Sequence, residues 1–267
     1  MLRPALYPLQ GIMFFLVHPS LWCRCFCGLL IMLLIAIGSL VGYSFLISPT
    51  AHALIDANCP TGLAWVVAVI LMLIEGSLTV IILGLLLMPL LQDTLFDDVL
   101  RIRGLDEPLL KASEVYRYTA IRGIAAGLTF AMVQILVLLL SIPINAVVIV
   151  GSILALAING TLLAWSYVLH YHIEVRNMSF RQSRHWIKLN WRDFAGFGMV
   201  AFALEMIPLF NVFFMFTNPV GAGLWVEAEY RKEITQRGQP GNKYDGNMPL
   251  PPGLDPSYAS SVTATYQ

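Results

Sequence analysis

The chain is short of charge. Asp, Glu, Lys and Arg make up 12% of its 267 residues while 58% are hydrophobic. That charged share is about half of what soluble domains carry. Acidic and basic side chains balance at 16 each, which leaves no electrostatic footprint for nucleic acid. Cysteine is scarce too. Cys23, Cys25 and Cys27 alternate and Cys59 stands apart, neither a disulfide framework nor metal-ligand spacing. His170 and His172 sit at i and i+2, which do not share a helix face, so a two-histidine metal site is not expected. The chain has no HExxH, no GxSxG, no P-loop and no GxGxxG with its acidic partner. These absences leave an enzyme, and any cofactor, without a motif to stand on. A cleavable signal peptide is not expected either: Arg3 is the only charge before Arg24, and no small-residue cleavage site follows.

What is present is long apolar runs. A mean hydropathy of +0.73 and runs beyond twenty apolar residues define an integral membrane protein. Residues 21–47 and 61–91 read as two long transmembrane helices, each longer than the ~30 Å hydrocarbon core requires. In the first, Gly38 and Gly42 form a small-xxx-small face for close helix packing. Cys23, Cys25 and Cys27 lie at its mouth as candidate palmitoylation sites, with plain apolar packing the alternative. Residues 48–60 read as a connecting loop without lysine or arginine. Glu75 falls in the middle of the second helix, where a charged group costs about 2.5–3.5 kcal/mol or more. It is therefore either a proton or cation site, or a neutral acid bonded to a neighbouring helix.

Residues 92–123 are the main polar segment. Leu95, Phe96, Val99, Leu100 and Ile102 recur at helical spacing against Asp93, Asp97, Asp98, Arg101 and Arg103, an amphipathic helix closed by Gly104. Residues 124–142 and 146–171 make an apolar pair divided by the sequence IPIN, with Gln134 and Asn145 as its intramembrane polar groups. His170 and His172 close it, read with Tyr167 and Tyr171 as interfacial polar caps. Residues 172–193 carry Arg176, Arg181, Arg184, Lys188 and Arg192 among tryptophans, a basic interfacial helix suited to anionic headgroups.

The stretch 207–229, IPLFNVFFMFTNPVGAGLWVEAE, is apolar and twice interrupted by proline, at Pro208 and Pro219. Proline frees a carbonyl one turn earlier, and Asn211 and Asn218 can re-satisfy such groups. The preceding leg, residues 194–206, reaches only about 20 Å at 1.5 Å per residue. It reads as one arm of a helical hairpin that enters the membrane and turns back, with an ordinary kinked span as the alternative. IPIN at 142–145 prefigures IPLFN, and Asn159-Gly160 then Trp165 match Asn218-Pro219 then Trp225. The two halves thus read as a degenerate hairpin repeat.

The runs IPLFN…NPVGAGLW and SFRQSRHWIKLNWRDFAGFG, with the opening GIMFFLVHPSLW, resemble the CysZ sulfate-permease and etoposide-induced-protein superfamily. The size, the proline-rich tail and this opening most resemble its fungal branch, described as outer-spore-wall or lipid-droplet proteins. The resemblance implies a fold and not a catalytic site.

The expected fold is all-α and integral to the membrane. It comprises two long transmembrane helices, two helical hairpins, either spanning or partly penetrating, and amphipathic cytosolic helices over residues 1–234. A disordered tail is expected over residues 235–267. Lysines and arginines avoid residues 48–60 and both IP turns, which predicts cytosolic termini. The expected partners are membrane lipids and a second copy of the chain. The candidate polar site is Glu75, Gln134, Asn145, Glu205, Asn211 and Asn218. Two functions follow from the resemblance: membrane, lipid-droplet or spore-wall organisation at the endoplasmic reticulum, or transport of a small solute.

Overall fold

The computed structural model describes residues 2–105, 127, 129–130, 132–137, 139–140, 150–176 and 178–236. Asn145 and the tail beyond Gln236 lie outside them. The described residues are helical, with no strand among them. In order they form α1 (Leu2–Val17), α2 (Pro19–Ser44), α3 (Ile47–Asp56), α4 (Thr61–Ile102), α5 (Val150–His170), a π-helical turn (Tyr171–Val175), α6 (Phe180–Leu189), α7 (Trp191–Glu205) and α8 (Asn211–Gln236). Among the described residues three helical stretches are long and apolar enough to cross a membrane: Pro19–Asp56, Thr61–Ile102 and Gly151–Val175. The chain divides into two compact units, residues 19–91 and residues 1–18 with 92–267.

The 19–91 unit is an antiparallel pair of long helices. Leu91 covers Gly28, Met32 lies against Gly84, Ser39 Oγ donates to the Gly76 carbonyl at 3.3 Å, and Tyr43 and Thr79 hydroxyls meet at 2.9 Å. Small residues do let the helices approach, but not the expected ones. Among the described residues a Cβ on Gly38 or Gly42 would meet nothing within 4 Å, and Gly28, Gly76 and Gly84 make the contact instead. The expected loop over 48–60 is also corrected, because α3 occupies most of it. Pro49 falls in the first turn of α3, where an N–H has no helical partner to lose. Asn58, with φ +66°, ends α3: its N–H and that of Cys59 turn back to the Ile55 and Leu54 carbonyls, a left-handed cap that asparagine tolerates.

Helix α4 runs through Pro89 without a break, so the second span and the expected amphipathic helix are one element. Its 42 residues measure about 63 Å at 1.5 Å each, twice the hydrocarbon thickness. Leu95, Phe96, Val99 and Leu100 are buried as their spacing predicts, whereas Ile102 is exposed. Gly104 ends the helix at φ +81°, with Gly104 and Leu105 N–H groups returning to Arg101 and Leu100.

The other unit is built on backbone-close crossings. Gly160 of α5 and Gly198 of α7 touch main chain to main chain: a Cβ on Gly198 would stand 1.9 Å from the Gly160 carbonyl oxygen. Gly11 of α1 meets Thr217 and Gly221 of α8 in the same way, and Gly223 lies against Val99 of α4. Helix α1 is an element that hydropathy does not single out, being 16 residues long with Pro8 inside. Helices α7 and α8 form the expected hairpin through residues 206–210, with Pro208 in the turn and Pro219 inside α8. Trp225 packs on Phe197 and Phe194, at ring distances of 5.3 and 4.8 Å. Phe130 meets Trp165 in the first half at 5.1 Å. The segment expected as one basic helix over 172–193 is broken. The π turn precedes residues 176–179, and α6 starts at a capping box of Ser179 and Gln182.

Gly198→Ala and Gly160→Ala should each lower stability by at least 1–3 kcal/mol, the cost of overpacking. Gly38→Ala should be neutral or add up to about 1 kcal/mol of helix propensity. Thermal midpoints of purified variants in detergent check this, and equal shifts at the three positions would refute the crossing.

Candidate functional site

The α5–α7 crossing sets what lies two turns along it. Tyr167 follows Gly160 by 7 positions and Glu205 follows Gly198 by 7, and the two long side chains meet beside the crossing. The Tyr167 hydroxyl donates to Glu205 Oε1. Asn218 of α8 donates to the same oxygen at 2.8 Å and to the Ala201 carbonyl at 3.0 Å. Tyr167 and Asn218 are buried, while Glu205 is half-buried at the base of the hairpin turn. One carboxylate thus takes two donors and ties α5, α7 and α8 to each other. The sequence points to Glu205 and Asn218. It places Tyr167 at an interface instead, and the structure corrects this.

Proline chemistry inside α8 is resolved by another helix. Pro219 has no N–H for the Met215 carbonyl four residues earlier. Gln92 of α4 supplies the donor, Nε2 to Met215 O at 3.2 Å. Asn218, expected to serve the hairpin's own freed carbonyls, bonds across to α7, and Asn211 is the exposed first residue of α8. Gln92 is the group that sequence reasoning misses. Its visible signal is being the first strongly polar side chain after the apolar run of α4, but its partner lies 123 residues away.

The remaining candidates are dispersed. Glu75 is exposed on α4 in the 19–91 unit, and its backbone carbonyl accepts from Thr79 Oγ1 at 3.0 Å. Gln134 is half-buried. Cys25 is buried, whereas Cys23 and Cys27 are exposed and remain open to acylation.

A second polar layer lies where α5 ends. The expected interfacial caps are in the core: Tyr171 and His172 are buried and His170 nearly so. His170 Nε2 lies 3.1 Å from Asp97 and its Nδ1 3.6 Å from Asp93. His172 Nδ1 and Trp165 Nε1 both meet Ser183 Oγ at 2.9 Å. Arg176, expected on a basic surface, is buried and grips both Glu233 oxygens at 2.8 Å. Beside it is a cavity of about 40 Å³ bordered by Trp225, Asp193 and Tyr230. The π turn rotates Arg176 inward, which no 3.6-residue periodicity anticipates. Arg181, Arg184 and Lys188 do remain exposed on α6.

Apolar spanning helices, intramembrane hydrogen bonds and glycine crossings define an all-α, multi-pass integral membrane protein. Residues 7–215 match the sulfate transporter CysZ/etoposide-induced protein 2.4 family, and the chain belongs to it. Among curated proteins and solved structures, none matches.

Glu205→Ala orphans two donors and should cost about 1–3 kcal/mol. Glu205→Gln keeps an acceptor oxygen and should recover most of that, while Tyr167→Phe should cost roughly 1 kcal/mol. A double-mutant cycle on thermal stability checks the network, and additive effects of Tyr167→Phe and Glu205→Ala would disprove the contact.

Proposed function

We propose that this is a non-enzymatic, multi-pass endomembrane protein that organises the bilayer it occupies, with the α7–α8 hairpin entering the membrane and turning back. The observation that carries this reading is the tip of the hairpin. Met206, Leu209 and Phe210 are exposed, Leu209 almost completely at 98%, where a turn in water would be polar. The 15 residues of α7 give an arm of about 22 Å, shorter than the ~30 Å core. An apolar tip on a short arm fits a segment that ends inside lipid.

The use made of polar groups supports the same reading. Glu205, Asn218, Tyr167 and Gln92 bond helix to helix. The fungal resemblance supports a place at the endoplasmic reticulum, lipid droplet or spore wall. The distribution of lysine and arginine supports cytosolic termini. The exposed Cys23 and Cys27 suit acyl anchoring. Transport of a sulfate-like anion or a proton-coupled solute is the second reading, favoured by the sulfate transporter in the family's description.

Purified protein in proteoliposomes should leave sulfate and proton gradients intact. Saturable uptake that disappears in Glu205→Gln would replace this reading with transport. In a cysteine-free background, Leu209→Cys should resist a membrane-impermeant maleimide from either side. Labelling from the side opposite the termini would show that the hairpin spans.

A further inference from the structure

We propose that the outer face of α1 holds one anionic phospholipid, its acyl chain along the helix and its phosphate at Arg103. Pro8, Gly11 and Phe15 turn inward, and Gly11 and Phe15 pack on α8, with Phe15 and Phe213 rings 5.9 Å apart. The opposite side presents Leu6, Leu9, Met13 and Val17, each between 45% and 70% exposed. With Leu224 and Arg103 these residues line an open groove of about 570 Å³. Gln10 and His18 are the uncharged polar residues along its wall. From Leu6 to Val17 the helix rises about 16 Å, close to the ~15 Å that one leaflet of a ~30 Å core gives an acyl chain.

One part of the lining is charged. Arg103 is about half exposed and its Nη2 lies 3.3 Å from Glu227. Arg231 binds the same carboxylate and donates Nη2 to the Arg103 carbonyl at 2.9 Å. These three side chains carry one net positive charge beside an apolar groove of acyl-chain length. That pairing suits a lipid with a negative headgroup. A free phosphate would leave the groove unfilled, and a zwitterionic lipid would gain little from the guanidinium. The site is independent of whether the protein transports anything.

The test uses the full chain in phosphatidylcholine vesicles containing a trace of phosphatidylglycerol with a photoactivatable acyl chain, against the same label on phosphatidylcholine. Peptides covering Leu6–Val17 should be labelled about fivefold more by the anionic probe, the worth of one basic residue at an anionic surface. Arg103→Gln should remove that preference. Met13→Trp, which fills the groove from its open side and touches no crossing, should reduce labelling by both probes at an unchanged thermal midpoint. Equal labelling by the two probes, or labelling that survives Met13→Trp, would overturn the proposal. Loss of the label to excess inorganic phosphate would overturn the lipid as occupant.

Discussion

Lipid tails are as apolar as leucine, so helices in a membrane gain little by hiding apolar faces from it. What remains is close packing, and here it depends on the main-chain contact between Gly160 and Gly198. With no side chain at the crossing, dispersion acts between backbones along the whole seam. The same distance lets a tyrosine hydroxyl reach a carboxylate two turns further on. A methyl group at the crossing would separate the helices and loosen that bond as well. Steric fit and polar satisfaction are therefore one constraint in this seam.

The other contacts extend the same logic outward. Helix α8 offers Gly221 to α1 and Gly223 to α4, so one glycine-rich turn docks two neighbours on different sides. This gives the sequence NPVGAGLW a physical meaning: Asn218 bonds α7, Pro219 leaves a carbonyl for Gln92, the glycines admit two helices, and Trp225 packs on Phe197. Toward the ends of α4, α5 and α8, apolar packing gives way to ion pairs. Arg176–Glu233 is buried, and Glu227 holds both Arg103 and Arg231. Breaking such a pair strands a charge away from water, so these pairs fix the orientation of the helix ends.

Much of this was legible in the sequence because it follows from local chemistry. The long apolar runs, the buried stripe from Leu95 to Leu100, the left-handed Gly104 stop and the hairpin turn at Pro208 each need only neighbouring residues. The misses are long-range or depend on small changes of helical phase. Residues 48–60 look like a loop because Pro49 and polar side chains are punctuation in isolation, yet that proline sits where a helix tolerates it. Gly38 and Gly42 have the right spacing but the wrong face, which only a partner's position reveals. Glu75 and Glu205 look alike as lone acids in apolar helices. Only Glu205 finds two donors, from helices 38 and 13 residues away. His172 and Arg176 are turned inward by a π turn that adds a residue to the local period.

The two bonds to Glu205 also impose an order in time. Asn218 closes a loop of 13 residues onto it and Tyr167 one of 38. Loop-closure entropy makes the longer step dearer by about 1 kcal/mol. The α7–α8 hairpin is thus the cheaper nucleus, offering a half-satisfied carboxylate until α5 arrives. During synthesis α5 leaves the ribosome first, so it must wait in the bilayer with its tyrosine unmatched until the later hairpin is made. The Tyr167–Glu205 bond then marks the completion of assembly rather than its start.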